Sequence, residues 1–545
     1  MTRRAVVIGA GIAGLAGAAL LAREGYVVEV VEQQDAVGGR AATWRHAGFT
    51  FDLGPSWYLM PEVFDHFFRL CGTSAAAELD LVALDPAYRV LREPSSGPGT
   101  AEALDVRTGH ARELFEAREP GAGERLDAYL ASAGETYDLA VREFLYRTWA
   151  SPSALLDAEL LRRAPTLARL LGTSLERFIG RRFSDPLLRQ VLGYPAVFLG
   201  TAPDRAPALY HLMSHADLTT GVLYPRGGFG TVIDAVARCA RRTGVVVHTS
   251  TQATGICTRT SNGRAHVTGV EVAAGGRSWV IPADVVLGAG DLHDLETRLV
   301  PAPLRTYPER WWRRRDPGPG AVLVHLGVRG RVPQLTHHTM FFTRDWRTNF
   351  DAILGPRPRV PSPASMYVCA PSRTDPGVAP PDHENLFVLV PVPAQTAIGS
   401  GGLDGGGDPV VEQVADEAIA AISRWAGVPD LASRIVVRRT VGPADFARDL
   451  SSWSGGALGP AHTLRQSAML RGRNASAHVD GLLYAGGSTI PGIGLPMCLI
   501  SAELAVKRLR GDASPHPLEP HPHEQHPLEL HPREQHPLDQ RAVIA

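Results

Sequence analysis

The hydrophobic pattern at the N-terminus predicts a β–α–β unit. Residues 5–8 form an uninterrupted apolar run, as a parallel strand buried on both faces requires, and residues 12–23 favour a helix. A second β-branched run covers residues 27–32. The uncharged stretch 5–22 could also be taken for a membrane span or a secretory signal. We reject that interpretation because three glycines interrupt the stretch and a second strand follows it.

Two later segments repeat this pattern and predict one discontinuous domain. Residues 231–242 favour a helix followed by a strand at 245–248, and residues 267–272 and 279–281 favour a hairpin. Buried strands are expected at 284–289 and 482–485, with a helix from 496 to 509. The predicted fold class is α/β. Its Rossmann-like, nucleotide-binding domain is assembled from residues 1–70, 221–296 and 440–512.

The segments between these three predict a second domain and an insertion. Residues 71–120 and 297–439, with strands at 321–328 and 386–392, predict a mixed α+β substrate domain. Helical patterns at 124–141 and 155–192 predict a helical, membrane-facing insertion over residues 121–220. The glycine-rich segment 399–409 predicts a mobile loop. The His/Pro repeats of residues 513–545 predict a disordered tail, because proline at this density prevents helix and sheet formation.

Composition narrows the classes of ligand. The net charge is −1, from 55 Lys+Arg against 56 Asp+Glu, which argues against nucleic acid as a partner. The 5 cysteines are scattered without a Cys-x-x-Cys pair, so we expect no disulfide framework, no metal site and a cytoplasmic location. Lys507 is the single lysine of the chain, which leaves one candidate for any lysine-dependent chemistry.

Glycine loops identify a candidate dinucleotide site. Gly9, Gly11 and Gly14 follow the first strand in Gly-x-Gly-x-x-Gly spacing and open a helix, so backbone N–H groups can approach a pyrophosphate. Glu32 ends the second strand, where a carboxylate accepts hydrogen bonds from a ribose diol and disfavours NADP. The continuation Val37-Gly38-Gly39-Arg40 favours FAD over NAD, because Arg40 could hold the pyrophosphate bidentately.

Further motifs resemble one family. The Gly-Gly-Arg loop, Phe51-Asp52-Leu53-Gly54-Pro55-Ser56 and the Pro225-Arg226-Gly227-Gly228 turn are similar to those of carotenoid desaturases within the flavin amine oxidase superfamily. The stretch 483–496 resembles the bacterial-type phytoene desaturase signature. It departs from that signature at Ser488, where glycine is usual, and at Ile490, where histidine is usual.

The resemblance covers residues 1–511 and implies an FAD site. Backbone N–H groups of residues 492–494 are expected to face the flavin edge on which negative charge accumulates. Cys498 could be a covalent flavin anchor, although a packed thiol is the favoured interpretation. The residues implied to contact FAD are Gly9, Gly11, Ala13, Gly14, Glu32, Gly38, Gly39, Arg40, Gly54, Pro55, Ser56, Ala253, Gly486, Gly487, Gly494, Leu495, Pro496 and Met497.

The family resemblance implies an FAD-dependent oxidoreductase that desaturates phytoene, with lycopene as the expected product and quinone or oxygen as electron acceptor. Alternatives are a desaturase of diapophytoene or hydroxycarotenoids, a carotenoid ketolase, a flavin amine oxidase, or a non-enzymatic prenyl chaperone of the same fold. A polyene requires only a modest base, because the charge that develops is delocalised. Asp185 and Asp217 are candidates for that base, with a structural role as the alternative for each.

The expected substrate also predicts contact with a membrane. A C40 hydrocarbon does not cross water unaided, because each methylene contributes about 0.8 kcal/mol of hydrophobic free energy. We therefore expect a peripheral membrane enzyme. Trp311 and Trp312, among the arginines of residues 310–315, are candidates for insertion between anionic headgroups, with an ordinary solvated basic helix as the alternative.

Overall fold

A computed structural model describes residues 3–95, 101–150 and 158–520. The strands are β1 Arg4–Ile8, β2 Val27–Val31, β3 Thr43–His46, β4 Phe49–Asp52, β5 Leu81–Ala83, β6 Tyr88–Arg92, β7 Glu102–Val106, β8 Leu223–Pro225, β9 Val246–His248, β10 Gln252–Ser261, β11 Arg264–Ala274, β12 Arg277–Pro282, β13 Val285–Gly288, β14 Pro319–Arg329, β15 His338–Phe342, β16 Met366–Cys369, β17 His383–Pro393, β18 Ile435–Val441, β19 Val479–Asp480 and β20 Leu482–Tyr484.

The helices are α1 Ile12–Arg23, α2 Pro61–Leu70, α3 Ala75–Glu78, α4 Ala111–Arg118, α5 Ala122–Leu139, α6 Ala158–Gly172, α7 Leu175–Gly180, α8 Pro186–Gly193, α9 Pro195–Phe198, α10 Met213–His215, α11 Phe229–Arg242, α12 Leu292–Asp294, α13 Glu309–Trp312, α14 Trp346–Leu354, α15 Pro409–Trp425, α16 Leu431–Arg434, α17 Pro443–Leu450 and α18 Leu495–Arg510. Short π-helical segments cover Ala140–Leu145, Ala216–Thr220 and Leu295–Leu299.

A parallel sheet of order β20-β13-β1-β2-β9 forms the centre of the first domain. Its strands come from three separate parts of the chain, and α1, α11 and α18 pack together on one face. The apolar run of β1 is buried between β2 and β13, which explains why it lacks polar positions. The predicted α/β fold class is confirmed. The predicted β11–β12 hairpin is antiparallel, as expected.

A seven-stranded sheet of order β18-β14-β17-β16-β15-β6-β7 forms the second domain, and α15 packs on it. Strand β18 contains residue 440, where the sequence places a domain boundary. The exact boundaries stay a prediction. The region predicted to be a helical insertion contains α5 to α10, and the expected helix at 155–192 is divided into α6, α7 and α8.

Two segments expected to lack order make specific contacts. The glycine-rich segment 399–409 is a loop as predicted, but Gly401 N donates to Asp445 and Gly402 N to Thr440 Oγ1, which ties it to the second domain. The start of the predicted disordered tail also packs, since Leu518 is buried and its N–H donates to Glu503 Oε1 at 2.5 Å. The rest of that predicted tail, residues 521–545, lies outside the described residues.

The two tryptophans of the predicted membrane segment differ in exposure, since Trp312 is buried and Trp311 is half-buried. Trp312 is 1 % exposed, and its Nε1 donates to Tyr307 O at 3.0 Å. Trp311 packs edge to face on Trp312, and Arg315 covers the Trp311 ring. The predicted insertion into headgroups is wrong for Trp312, because its ring is buried in the core. For the half-buried Trp311 the insertion stays a prediction. Within the described residues, no helix has the length and hydrophobicity to cross a bilayer.

Candidate functional site

The loop between β1 and α1 forms a backbone cradle. Gly9 has φ +99°, and a Cβ on Gly14 would lie 1.9 Å from Gly9 O, so neither position tolerates a side chain. At Gly11, the nearest atom to an added Cβ is 4.0 Å away. Gly11 is the N-cap of α1, so the N–H groups of the first turn, at the positive end of the helix dipole, are available to a phosphate.

Glu32 lies beside this cradle. Its Oε2 accepts a hydrogen bond from Ala10 N at 2.7 Å and its Oε1 accepts one from Gln34 N at 2.9 Å. Each carboxylate oxygen retains a lone pair that could accept a ribose hydroxyl. The carbonyl of Glu32 also accepts from Thr251 N at 2.8 Å, which brings the start of β10, with the predicted contact residue Ala253, to the same edge.

The second glycine loop pairs with the first through backbone atoms. Gly38 N donates to Ala10 O at 2.9 Å, and a Cβ on Gly39 would lie 3.5 Å from Gly11 Cα. A Cβ on Gly54 would lie 2.3 Å from Arg40 O, so the segment containing Pro55 approaches this loop as closely as backbone allows. The predicted contact residues of the N-terminal segment are therefore brought together.

Arg40 makes contacts that sequence reasoning did not foresee. Its Nε donates to Ala457 O at 3.2 Å and its Nη2 to Ser452 Oγ at 2.6 Å, with Asp291 Oδ2 3.8 Å away. One edge of the guanidinium is thus already engaged with protein. Both N–H groups of Nη1 and the second N–H of Nη2 lie outside these two hydrogen bonds, so the bidentate contact of Arg40 with a pyrophosphate stays a prediction.

The C-terminal glycine turn meets the start of α1. A Cβ on Gly486 would lie 3.8 Å from Ala13 Cβ, and Arg471 Nη2 donates to Gly487 O at 2.5 Å. Asn474 Nδ2 donates to Ile490 O at 3.0 Å, and Ile490 N donates to Gly472 O at 2.8 Å. The turn is therefore formed despite the two departures from the family signature.

His462 holds the part of the turn that precedes α18. A Cβ on Gly492 would lie 2.2 Å from His462 Cε1, so the imidazole packs directly on this glycine. Ile493 N donates to His462 Nε2 at 3.2 Å. The expectation that residues 492–494 all present N–H groups to a flavin is wrong for Ile493, because its N–H is already bonded. The helix, expected to begin at residue 496, begins at Leu495 and includes Pro496 in its first turn.

The hydroxyl of Ser56 joins the two domains. It lies 2.7 Å from Tyr367 Oη, which lies 2.7 Å from His338 Nδ1. Burial holds the pKa of His338 well below its usual value, so the ring is neutral. His337, His338 and Cys369 have potential ligand atoms within 4.8 Å of one another, an arrangement that the sequence, with no predicted metal site, did not indicate.

An aromatic cluster follows Ser56 in the chain. Trp57 stacks on His338 with ring centroids 4.5 Å apart and contacts Tyr88, Tyr194 and Phe198. A Cβ on Gly200 would lie 3.5 Å from Ile493 Cδ1, so this cluster reaches the C-terminal turn. We call these aromatic side chains, from Trp57 to Phe198, the aromatic wall; they lie between the C-terminal turn and the helical region.

Asp217 lies behind this cluster in the π-helical segment Ala216–Thr220. Its Oδ2 accepts hydrogen bonds from Tyr194 Oη at 2.7 Å and Tyr88 Oη at 3.0 Å, and its buried Oδ1 has no partner among the described residues. Burial raises the pKa of Asp217 to about 7, although both tyrosines oppose the shift.

The three remaining side chains considered in the sequence analysis, Asp185, Cys498 and Lys507, make contacts that stabilise the fold. Asp185 caps α8 by accepting from Leu187 N and Leu188 N at 2.8 and 3.0 Å, which favours its structural interpretation over a catalytic one. Cys498 packs in the core of the first domain, and burial raises the pKa of its thiol to about 11, which agrees with a packed thiol. Lys507 Nζ donates to Tyr146 O and Ser514 O, both at 2.9 Å.

Comparison with known proteins agrees with this geometry. The model of flavin containing amine oxidoreductases matches residues 12–510. The chain belongs to this family. It is 38 % identical over 509 residues to a carotenoid 3,4-desaturase of Haloarcula japonica, covering 93 % of this chain and 98 % of that one. It is 36 % identical over 511 residues to a zeta-carotene-forming phytoene desaturase of Myxococcus xanthus, covering 93 % and 94 %.

Solved structures confirm the fold of this family member. An oxidoreductase from Methanosarcina mazei superposes with a TM-score of 0.59 at 16 % identity, covering 92 % of this chain and all of that one. Cyclohexylamine oxidase from Brevibacterium oxydans gives a TM-score of 0.56 at 14 % identity, covering 94 % and 100 %. The predicted resemblance, the assignment as an FAD-dependent oxidoreductase and the cofactor FAD are confirmed. The paired glycine loops and Glu32 fit this cofactor.

Proposed function

We propose that this protein desaturates a C40 carotene such as phytoene, with lycopene as the expected end product. The observation that carries the proposal is the near full-length similarity to enzymes named as carotenoid and phytoene desaturases. The wall of Trp57, Tyr194 and Phe198 beside the C-terminal turn supports it, because aromatic faces suit an apolar polyene.

The glycine loops would hold the FAD pyrophosphate, Glu32 would accept the ribose hydroxyls, and the turn at Gly486 and Gly487 would line the flavin. Bound FAD accepts the hydrogen that the substrate loses. Arg40, anchored by Ser452 and Ala457, would direct its remaining N–H groups to the pyrophosphate.

Asp217 is the favoured candidate for a proton acceptor or for electrostatic support of a developing cation. A carboxyl with a pKa of about 7 is poised to exchange a proton near neutral pH, which suits a general base. Tyr88 and Tyr194 would orient it, leaving Oδ1 as the accepting atom. Asp185 carries no such argument, since its carboxylate is committed to a helix cap.

An amine oxidase activity is the weaker candidate. The single lysine would have to serve any lysine-dependent chemistry, and Lys507 is bonded to Tyr146 and Ser514 in the core. A related desaturase of diapophytoene is the nearer alternative, since a relative of that name from Staphylococcus aureus is 28 % identical over 511 residues. We further propose a cytoplasmic enzyme at the membrane surface, with quinone or oxygen as electron acceptor.

Coexpression in a phytoene-producing host tests the proposal. Extraction of red, highly conjugated pigment is the expected result, and a diapophytoene-producing host run in parallel tests the alternative. Unchanged colourless phytoene, from cells containing folded flavoprotein, would contradict the proposal.

A further inference from the structure

A surface of exposed apolar and basic side chains lies next to the half-buried Trp311 and the buried Trp312. Leu464, Met469 and Leu470 are 49, 36 and 51 % exposed, within a span of seven residues. We call this the Leu470 surface. It comprises these three side chains together with the exposed Arg310, Arg313, Arg314 and Arg465.

Hydrogen bonds bring the two segments of this surface together. Asp316 N donates to Gln466 Oε1 at 2.7 Å, and Gln466 Nε2 returns a bond to Asp316 O at 3.0 Å. Arg315 also donates to Arg465 O. Further along, Arg473 N donates to Tyr307 Oη at 2.8 Å. The contacts at both ends place the arginines that follow the tryptophans beside the exposed leucines.

The charge of this surface is mainly positive. Of the acidic side chains of the two segments, Asp316 forms an ion pair with Arg205 at 2.5 Å, and Glu309 lies 2.8 Å from His293. The four exposed arginines therefore outnumber the one acidic side chain that has no arginine partner. This arrangement matches an anionic bilayer surface. The apolar side chains would insert below the phosphate groups, and the surrounding arginines would bind the phosphates.

The surface is fastened to the candidate flavin site. Arg471, directly after Leu470, donates to Gly487 O, and Ser467 accepts a hydrogen bond from Tyr210 at 2.9 Å. Tyr210 in turn contacts His462, which holds the C-terminal turn. Docking at Leu470 would therefore place the lipid one layer of side chains from the turn.

We propose that the Leu470 surface docks this protein on bilayers containing anionic phospholipid. The inference rests on the proposed function, which supplies the reason for a membrane: the substrate is a hydrocarbon that dissolves there. It assigns the contact with lipid to the exposed neighbours of the buried Trp312. Each arginine near an anionic leaflet contributes about fivefold in partitioning, and three together about 100-fold, at low ionic strength.

Flotation of the flavin-loaded, full-length protein with vesicles tests this surface. The vesicles are pure phosphatidylcholine or phosphatidylcholine mixed with phosphatidylglycerol. One variant combines Leu464→Ser, Met469→Ser and Leu470→Ser, and another combines Arg310→Ser, Arg313→Ser and Arg314→Ser. Matched controls are Leu403→Ser with Val410→Ser and Val436→Ser, which are 52, 44 and 41 % exposed, and Arg277→Ser with Arg357→Ser and Arg359→Ser, all exposed.

Both test variants are expected to lose at least tenfold in binding to the anionic vesicles, while both controls stay within twofold of the parent. The arginine effect should fade at high salt. Unchanged binding of either test variant, or equal losses in the controls, would overturn the inference. A third outcome would also overturn it: only the arginine variant loses binding to vesicles, and it loses binding to a soluble polyanion to the same extent.

Flavin content and conversion of detergent-dispersed carotene separate this inference from the proposed function. Both properties are expected to be unchanged in the Leu470-surface variants, because their side chains point to solvent. A protein that binds vesicles through this surface but converts no carotene contradicts the proposed function and leaves the docking surface standing. Leu171, which is 37 % exposed in the helical region, marks an alternative docking site. If Leu171→Ser is the only variant that loses vesicle binding, the assignment to the Leu470 surface is overturned.

Discussion

His462 and Ile493 are joined by a hydrogen bond in which the histidine is the acceptor. Ile493 N lies 3.2 Å from Nε2, so the proton of the neutral ring resides on Nδ1, 2.8 Å from Tyr210 Oη. Burial, with Arg471 nearby, holds the pKa of His462 well below its usual value. A neutral imidazole of one tautomer thus fixes the backbone of the C-terminal turn.

Replacing His462 is expected to weaken FAD retention. His462→Ala removes both the acceptor for Ile493 N and the ring that packs on Gly492, so we expect at least tenfold faster flavin loss, measured by dialysis and visible absorbance. His462→Gln supplies an amide oxygen and should recover part of the affinity. His478→Ala, at an exposed position, is the control. Identical flavin loss in all three variants would show that the histidine does not organise the turn.

Gly14→Ala is expected to abolish flavin binding. The new methyl group would lie 1.9 Å from Gly9 O, so the cradle must open. Gly172→Ala adds the same methyl group at a position where no described atom beyond its chain neighbours and its own helix backbone lies within 4 Å. The ratio of visible to ultraviolet absorbance of the purified proteins is the measurement. A flavin-loaded Gly14→Ala variant would refute the assigned cradle.

The sequence predicted those features of the site that depend on local patterns. β1, α1, the glycine loop between them and the position of Glu32 beside that loop follow from a buried strand entering a helix. The contact of Glu32 with a ribose stays a prediction. The contacts of Arg40 with Ser452 and Ala457 join residues more than 400 positions apart, and no local pattern encodes them. The role of His462 follows from its contacts with Gly492 and Ile493 in the folded chain, which no local pattern indicates.

The prediction for Trp312 failed for a related physical reason. Adjacent tryptophans among arginines suit both a lipid interface and a core position with basic neighbours. The choice depends on whether another segment covers the ring, and Trp453 covers that of Trp312. Similarly, no pattern in the tail sequence predicts that Leu518 packs beside Glu503.

Acidification is expected to destabilise the protein in part through His325. This ring is fully buried among Trp44, Phe51 and Phe387, and burial lowers its pKa to about 3. The unfolded chain binds a proton near pH 6.5 and the folded chain does not, so stability falls as pH drops below 6.5 towards 3. The slope is about 1.4 kcal/mol per pH unit for this group.

Urea unfolding of the parent and of His325→Phe at pH 7.5 and 5.5 measures the contribution of His325 to the pH dependence of stability. The variant should lose about 1 kcal/mol less than the parent on acidification. Asp52 and Asp217, whose pKa values burial raises to about 6 and about 7, act with the opposite sign but are present in both proteins. An equal loss in both proteins would contradict a neutral buried His325.

Asp217→Asn is expected to lower the rate of carotene conversion about 100-fold, the range typical of a lost general base. The asparagine can still accept from Tyr88 or Tyr194, so the fold should persist. The rise of kcat/KM with pH around 7 should disappear with the carboxyl. Asp185→Asn, which perturbs a helix cap worth about 1 kcal/mol, should retain activity. Equal activities of the two variants would remove Asp217 from the mechanism.

The start of the C-terminal tail is expected to stabilise the first domain. Lys507 is fully buried, and its Nζ donates to Tyr146 O, Ser514 O and His516 O at 2.9, 2.9 and 2.5 Å. Truncation after residue 512 removes two of these acceptors and the buried Leu518, so a buried ammonium is left partly unpaired. We expect a loss of about 2–3 kcal/mol in the free energy of unfolding.

Truncation after residue 520 retains all of these contacts and is the matched control. Lys507→Met in the full chain should cost a similar amount, about 2–4 kcal/mol, because it leaves three carbonyls without their donor. Combining Lys507→Met with the truncation after 512 should cost less than the two separate losses added together, since both remove the same bonds. Strictly additive losses, or equal stability of the two truncated proteins, would show that the tail segment does not support Lys507.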